Sequence, residues 1–538
     1  ALPYYVTGGS IGLEKSRIDF DLGEETFEFE TLPIKTAYWN HTPMLLVTPQ
    51  AANKTMGQGG FQEVEQMNLF KDMVCYQEEV RDASRMAEVL NRVILKAKRG
   101  SAPAQINVPR DFWTQVVDIE LPSIIEFERP AGGSAAISEA ANLLSNAKFP
   151  VILSGAGVVL ADAIEDCKKI AEKLDAPVAC GYQHNDSFPG KHPLAVGPLG
   201  YNGSKAAMEI ISKADVVLAL GTRLNPFSTL PGYGIDYWPK EAKIIQVDIN
   251  SDRIGLAKKI SVGICGDAKL VAEQILSKLS STAGDDGRGD RKALIHQTKS
   301  AWLQTLTSLD HEEDDEGTSW NKDSRERDPE RMSPRMAWRA IQAGLPDDAI
   351  ISSDIGNNCA IGNAYPTFEQ GRKYLAPGLF GPCGYGFPSV LGAKIGCPDT
   401  PVVGFSGDGA FGISMSEMTS CSREEWPNIT MVIFRNYQWG AEKRNTTLWY
   451  DNNFIGTELD PKLSYAKIAE ACGFKGVKVT TQSELTEALK ASCEDQMNGV
   501  TTFIEVILNQ ELGEPFRRDA MKAPVEVAGI DSKDTVVQ

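Results

Sequence analysis

The 538-residue chain lacks any CxxC pair, and its ten cysteines, scattered from Cys75 to Cys493, show no metal-like clustering. That excludes a disulfide framework or a thiolate zinc site as its organising feature and leaves reduced, mostly buried thiols. Histidine is scarce, with five dispersed residues, so a His-rich metal centre is excluded as well. No apolar stretch approaches the roughly 20 residues of a membrane helix, and the first residues carry no basic segment followed by an apolar signal core. The expectation is a cytoplasmic protein without membrane contact. Positive charge is in deficit, 54 Lys and Arg against 72 Asp and Glu, for a net charge of −18. General nucleic-acid binding is thereby disfavoured, and any anion site must be built from a few placed cations and N–H groups.

What is present is most specific in the last third. Pro401-Val-Val-Gly-Phe405 is a short apolar run suited to a buried strand, and Ser406-Gly-Asp-Gly409 breaks it sharply. Glycines flanking Asp408 permit a tight turn and close backbone approach to a ligand. Ala410 to Met418 reads as a helix start whose free N–H groups could face a phosphate oxygen. Ile429 to Phe434 is a second β-branched strand, running into Arg435-Asn436-Tyr437-Gln438. Two parallel strands then set Asp408 and Asn436 on neighbouring C-terminal edges, where open α/β sheets bind ligands. Asp408, the Asn436 amide oxygen and the Gln438 carbonyl are hard oxygen donors suited to Mg²⁺. The plain alternative, a bare Gly-Asp-Gly turn, does not account for the strand, turn, helix, strand and Asn context.

The remaining chain reads as repeated α/β units. Met44 to Thr48 and Gln105 to Val108 are expected strands, and Ser84 to Ala97 an amphipathic helix with Met86, Val89, Leu90, Val93, Ile94 and Ala97 on its apolar face. Phe27-Glu-Phe-Glu30 alternates like a surface strand. Pro122 to Gly133 reads as a linker. Pro150 to Leu153, Val216 to Leu220 and Ile244 to Asp248 are strands separated by helical stretches, which implies a parallel, doubly wound sheet. Gly155-Ala-Gly157 lacks the full dinucleotide fingerprint and reads as a strand-to-helix turn. Residues 281–331 form an expected polar linker, including the acidic run Glu312 to Glu316.

Gly407-Asp-Gly409, the spacer and Arg435-Asn436 resemble the signature of the thiamine diphosphate enzymes of the acetolactate synthase and pyruvate oxidase superfamily, with Arg435 in place of a first Asn. The likeness runs from about Pro33 to Lys522. It is closest to the desulfonating acetyltransferase branch in Ile34 to Pro43, Gly59-Gly-Phe-Gln-Glu63, Cys180 to Asp186, Asn436 to Glu442 and Asn445 to Tyr450. The resemblance implies three α/β domains with doubly wound parallel sheets: a pyrimidine-binding domain over 33–121, a central domain over 134–280 and a diphosphate-binding domain over 332–538. The first is incomplete or atypical at its start, because residues 1–32 are unmatched.

By resemblance the cofactors are thiamine diphosphate and Mg²⁺. Cofactor contacts fall on Asp354, Gly356, Asn357, Gly381, Cys383, Gly407, Asp408, Gly409, Ala410, Asn436 and Gln438, with Asp408, Asn436 and Gln438 holding the metal. Gln62 and Tyr385 are the implied catalytic side chains; no residue of 1–32 is assigned as the cofactor-activating glutamate. The implied substrates are the small anions sulfoacetaldehyde and phosphate, for which Arg435, Lys443, Arg444, Arg517 and Arg518 are the candidate cations. The resemblance also places active sites between subunits, hence a homodimer or homotetramer. Two alternatives stay open: an enzyme acting on pyruvate or another 2-oxo acid, as acetolactate synthase and pyruvate oxidase do, and a noncatalytic cofactor-binding homologue.

Overall fold

Strands covered on both faces are buried along their whole length and read as largely apolar runs. Val216–Leu220, Thr430–Arg435 and Thr502–Ile507 are buried at every position. They lie within two of three parallel sheets. The computed structural model describes residues 13–14, 17–18, 27–60, 63–123, 127–280, 288–311, 324, 326–450 and 452–512.

The first sheet has three strands, β1 (Leu45–Gln50), β2 (Tyr76–Glu79) and β3 (Ala104–Pro109), in the order β1-β3-β2. The helix Met86–Gly100 covers it with Val89, Val93 and Ala97, the face expected from the sequence period. The second sheet has six strands: β4 (Pro150–Ser154), β5 (Val178–Cys180), β6 (Ala195–Pro198), β7 (Val216–Leu220), β8 (Lys243–Asp248) and β9 (Val262–Cys265), in the order β9-β8-β7-β4-β5-β6. Gly155 and Gly157 lead into the helix Ala156–Leu160, and a Cβ on Gly157 would stand 2.6 Å from the Gly221 Cα. This glycine pair is the strand-to-helix turn expected, fitted closely against its neighbour.

The third sheet contains β10 (Ile350–Ser353), β11 (Tyr374–Leu375), β12 (Val402–Gly407), β13 (Thr430–Arg435), β14 (Lys475–Val479) and β15 (Thr502–Ile507), in the order β11-β10-β12-β13-β15-β14. Phe405 of β12 and Phe434 of β13 pack on the Trp338 indole, with ring centroids 5.0 and 5.5 Å away. That cluster fixes the two strands whose ends carry Asp408 and Asn436.

Two expectations are corrected. Phe27–Trp39 is a helix that continues through Pro33, so Phe27 to Glu30 is not a surface strand. Four residues of period-two alternation are too few to distinguish the periods, and the burial of Ile34 and Ala37, three apart, follows the helical one. The expected linker 281–331 carries the 24-residue helix Arg288–His311, anchored by buried Ile295, Trp302 and Leu306. Its apolar residues are sparse but correctly spaced for one face.

The units are bound to each other by polar contacts. Asn185 Nδ2 donates to the carbonyls of Asn363 (2.8 Å) and Pro366 (2.9 Å), and Asp186 accepts from the backbone N–H groups of Lys373 and Tyr374. Arg223 donates to the Trp39 carbonyl at 3.0 Å. Among the described residues no helix is long and apolar enough to cross a membrane.

Candidate active site

β12 and β13 run parallel with Gly407 paired to Phe434, so Asp408 and Asn436 emerge side by side from adjacent strand ends. Asp408 is buried, and each of its oxygens has defined partners. Oδ2 accepts from Tyr437 N (2.7 Å) and Arg435 Nη1 (3.0 Å), and Oδ1 accepts from Gly409 N (3.0 Å). Burial pushes its carboxyl up to about 6, opposed first by the Arg435 charge. Tyr437 takes a left-handed φ of 62°, uncommon for a residue with a Cβ, at the turn between Asn436 and Gln438.

The Asn436 carboxamide points one of its two polar atoms at Asp408 Oδ1 (3.2 Å) and at the Gln438 carbonyl oxygen (3.3 Å). With nitrogen inward, it donates to both, and its oxygen accepts from Asn358 Nδ2 at 3.2 Å. With oxygen inward, three oxygens converge without a proton between them, an arrangement that only a cation relieves. Adjacent ligands of an octahedral Mg²⁺, at about 2.1 Å from the ion, stand about 3 Å apart. The donor set therefore fits a small divalent cation. Among the described residues no group of three His, Cys, Asp or Glu could hold a metal, so a single carboxylate completed by an amide and a carbonyl is the arrangement available.

The other expected cofactor positions lie on the neighbouring segments of the same unit. Ala410 lies buried in the helix Asp408–Ser414, which begins at Asp408. A Cβ on Gly409 would stand 2.9 Å from the Trp439 ring, so the absence of a side chain there lets this helix approach the indole. Gly356 precedes the short helix Asn357–Ile361, and Asn357 Nδ2 donates to the Gly440 carbonyl at 2.8 Å. Asp354 is not a free carboxylate. Its oxygens accept from Ile355 N, Gly384 N, Gly386 N and Ser406 Oγ at 2.8–3.1 Å, tying the Gly381–Gly386 segment to the end of β10. Cys383 in that segment is half-buried, and burial, then the charges of Asp354 and Glu442, push its thiol up to about 12. It is a neutral space-filling group rather than a nucleophile. Tyr385, next to it, is buried.

The candidate cations divide. Arg435 is wholly buried and paired with Asp408, and Lys443 is buried and paired with Glu458. Neither side chain is an exposed cation awaiting an anion. Arg444, on the helix Gly440–Trp449, meets the hydroxyl of Tyr201 from the central unit, with its guanidinium 4.8 Å from the Tyr201 ring centroid. Tyr201 also reaches Asn357 Oδ1 at 3.4 Å. Sequence reading missed Tyr201, because no motif spacing connects it to the helix it contacts. Gln62, Arg517 and Arg518 lie outside the described residues.

Comparison with known proteins assigns this arrangement to a family. The chain matches "Thiamine pyrophosphate enzyme, central domain" over residues 137–275 and "Thiamine pyrophosphate enzyme, C-terminal TPP binding domain" over 354–506. It is 76% identical over 505 residues to the probable sulfoacetaldehyde acetyltransferase of Rhizobium meliloti, covering 94% of this chain and 85% of that protein. This chain belongs to the sulfoacetaldehyde acetyltransferase family of thiamine pyrophosphate enzymes. A second member of that family, from Roseovarius nubinhibens, is 75% identical over 93% of this chain and 83% of its own length. The acetyltransferase family is an enzyme family, and this chain is an acyltransferase by membership. The probable acetolactate synthase large subunit of Methanococcus aeolicus is more distant, at 28% identity over 85% of this chain and 76% of that protein. In fold this chain is similar to a thiamine diphosphate-dependent 4-hydroxybenzoylformate decarboxylase from Rhodococcus jostii, with a TM-score of 0.71, 22% identity and coverage of 90% of this chain and 87% of that one.

Proposed function

We propose that this enzyme converts sulfoacetaldehyde and phosphate to acetyl phosphate and sulfite, using thiamine diphosphate and Mg²⁺. The observation that carries the cofactor half is the convergence of Asp408 Oδ1, the Asn436 amide and the Gln438 carbonyl within 3.2–3.3 Å. The names of relatives at 69–76% identity support the substrate half. Thiamine diphosphate supplies the electron sink that makes loss of sulfite from the carbon next to the aldehyde feasible.

The protein's own groups bind, orient and shield. Asp408, Asn436 and Gln438 would hold the metal, with Gly407, Gly409 and Ala410 beside them to take part in cofactor binding. Gly356 and Asn357, which follow β10, would contribute further contacts to the cofactor. Gly381 and Cys383 would line the cofactor site, with Cys383 filling space as a neutral thiol. Arg444, buried and held against Tyr201, is the candidate cation proposed to meet a sulfonate or phosphate; a guanidinium grips two oxygens of either at once. Gln62 and Tyr385 are the proposed catalytic side chains. Self-association into at least a homodimer belongs to the same reading: exposed Phe380 and Ile413, flanking the Gly381–Gly384 segment, offer an apolar surface for a second copy.

Incubation of the enzyme with Mg²⁺, thiamine diphosphate, sulfoacetaldehyde and phosphate, with sulfite and acetyl phosphate measured together, tests the proposal. Equal amounts of both are expected. Neither product from a folded chain, or acetolactate from pyruvate in their place, would sink it.

A further inference from the structure

Arg435 ends β13 immediately before Asn436, and its charge is used entirely inside the protein. Nη1 donates to Asp408 Oδ2 at 3.0 Å, and Nη2 donates to the carbonyls of Asp460 and Leu463. Nε faces Glu505 Oε1 at 3.9 Å. The rings of Tyr437 and Tyr465 lie 4.2 and 5.4 Å from the guanidinium. Glu505 is itself fixed by Ser464 Oγ (2.7 Å) and Ala466 N (3.1 Å), and Tyr465 donates to the Asp408 carbonyl at 2.7 Å. A guanidinium held from this many directions does not swing toward a substrate. What it does control is the carboxylate beside it.

We propose that Arg435 is a positioning residue that assigns the two oxygens of Asp408, occupying Oδ2 so that Oδ1 alone faces Asn436 and Gln438 as a one-oxygen ligand. This rests on the metal reading given above. The chemical consequence is selectivity. Ca²⁺ takes carboxylates with one or both oxygens and tolerates flexible shells of 6–8 ligands, whereas Mg²⁺ and ions of similar size demand near-octahedral geometry. With Oδ2 occupied by Nη1 and Tyr437 N, two-oxygen binding by Asp408 is blocked. The Glu505 carboxylate balances the second half of the arrangement, so the buried cation is compensated without drawing on the ligand oxygen.

The test uses the full chain with saturating thiamine diphosphate and Mn²⁺ as a paramagnetic probe, its binding followed by electron paramagnetic resonance and its displacement by added Ca²⁺. The wild type is expected to bind Mn²⁺ and to resist Ca²⁺. Arg435→Met, folded by circular dichroism, should bind Mn²⁺ about tenfold more weakly, the usual scale for loss of a partner that orients a metal ligand, and should yield it to Ca²⁺ at a lower excess. Arg435→Lys, which offers a point charge without the planar fork, should fall between the two. A change in the Ca²⁺ to Mn²⁺ ratio is a readout that simple destabilisation does not produce. A folded Arg435→Met with the wild-type Mn²⁺ constant and the wild-type ratio overturns the proposal. If Arg435→Met does not fold, Arg435→Lys decides: a ratio shifted toward Ca²⁺ sustains the assignment and an unchanged ratio overturns it. A wild type that binds no Mn²⁺ with the cofactor present removes the metal reading and this inference together.

Discussion

Asn358 Nδ2 stands 3.2 Å from the outer polar atom of the Asn436 carboxamide, and Asn358 Oδ1 is buried without a partner among the described residues. The two amides therefore form a coupled pair. If Asn436 turns its oxygen inward to a cation, its nitrogen faces Asn358, and a turn of Asn358 supplies the otherwise unused Oδ1 as acceptor. Asn358→Leu removes that acceptor and should weaken Mn²⁺ binding by roughly tenfold in the presence of thiamine diphosphate. A calorimetric titration reads the difference. An unchanged constant would show that Asn436 orients itself without help.

The close approach of Gly409 to Trp439 gives a second prediction. Alanine is the better helix former by about 1 kcal/mol, but a Cβ at 409 lies 2.9 Å from indole carbons, and overpacking of this sort costs about 1–3 kcal/mol. The clash wins, and Gly409→Ala should melt below the wild type. Gly412→Ala on the same helix is the control: its Cβ would meet nothing nearer than the Tyr465 hydroxyl at 3.7 Å, so it should be neutral or mildly stabilising.

Asp186, in the contact between the central and third units, predicts a pH effect. Burial raises its carboxyl to about 6 from the ordinary 3.8, against the opposing backbone N–H groups of Lys373 and Tyr374. A raised pKa means that the folded state holds the proton more tightly. Its favourable contribution is complete below about pH 4 and is lost as pH rises through about 6. Asp186→Asn cannot ionise and keeps an acceptor for the same N–H groups. It should gain stability relative to the wild type between pH 4.5 and 7.5, by roughly 3 kcal/mol at most, as read by urea unfolding at both values. A constant difference would contradict this.

Arg444→Ala should lower kcat/KM for phosphate or sulfoacetaldehyde by about 2.7–4 kcal/mol in transition-state terms, roughly 10²- to 10³-fold. Tyr201→Phe, which keeps the ring and removes only the hydroxyl, should have a smaller effect in the same direction. Unchanged steady-state kinetics with both substrates in Arg444→Ala would remove it from the anion site.

The β12 and β13 strands, the Gly-Asp-Gly turn and the neighbouring Asn436 were legible in the sequence because each is a local signal: an apolar run, a breaker, a second apolar run. The roles of the cations were not. Arg435 looked available for an anion because its partners, Asp408, Glu505 and the carbonyls of Asp460 and Leu463, come from separate segments. Arg444 meets Tyr201 across 243 residues, and no spacing rule spans that separation. Asp354 likewise read as a ligand, whereas four donors from three segments already occupy its oxygens. Phe27 to Glu30 misled for the opposite reason. Its local pattern was clear but too short, and the helix to Trp39 is set by residues further along.

Asp408, Asn436 and Gln438 are proposed to hold the metal that carries the cofactor diphosphate. A crystal structure with thiamine diphosphate and Mn²⁺, with the metal located by its anomalous scattering, tests it most directly. The account predicts one peak within about 2.1–2.2 Å of Asp408 Oδ1, the Asn436 amide oxygen and the Gln438 carbonyl, with Oδ2 still on Arg435. A metal bound through both oxygens of Asp408, or bound elsewhere with the Asn436 nitrogen turned inward, would contradict it.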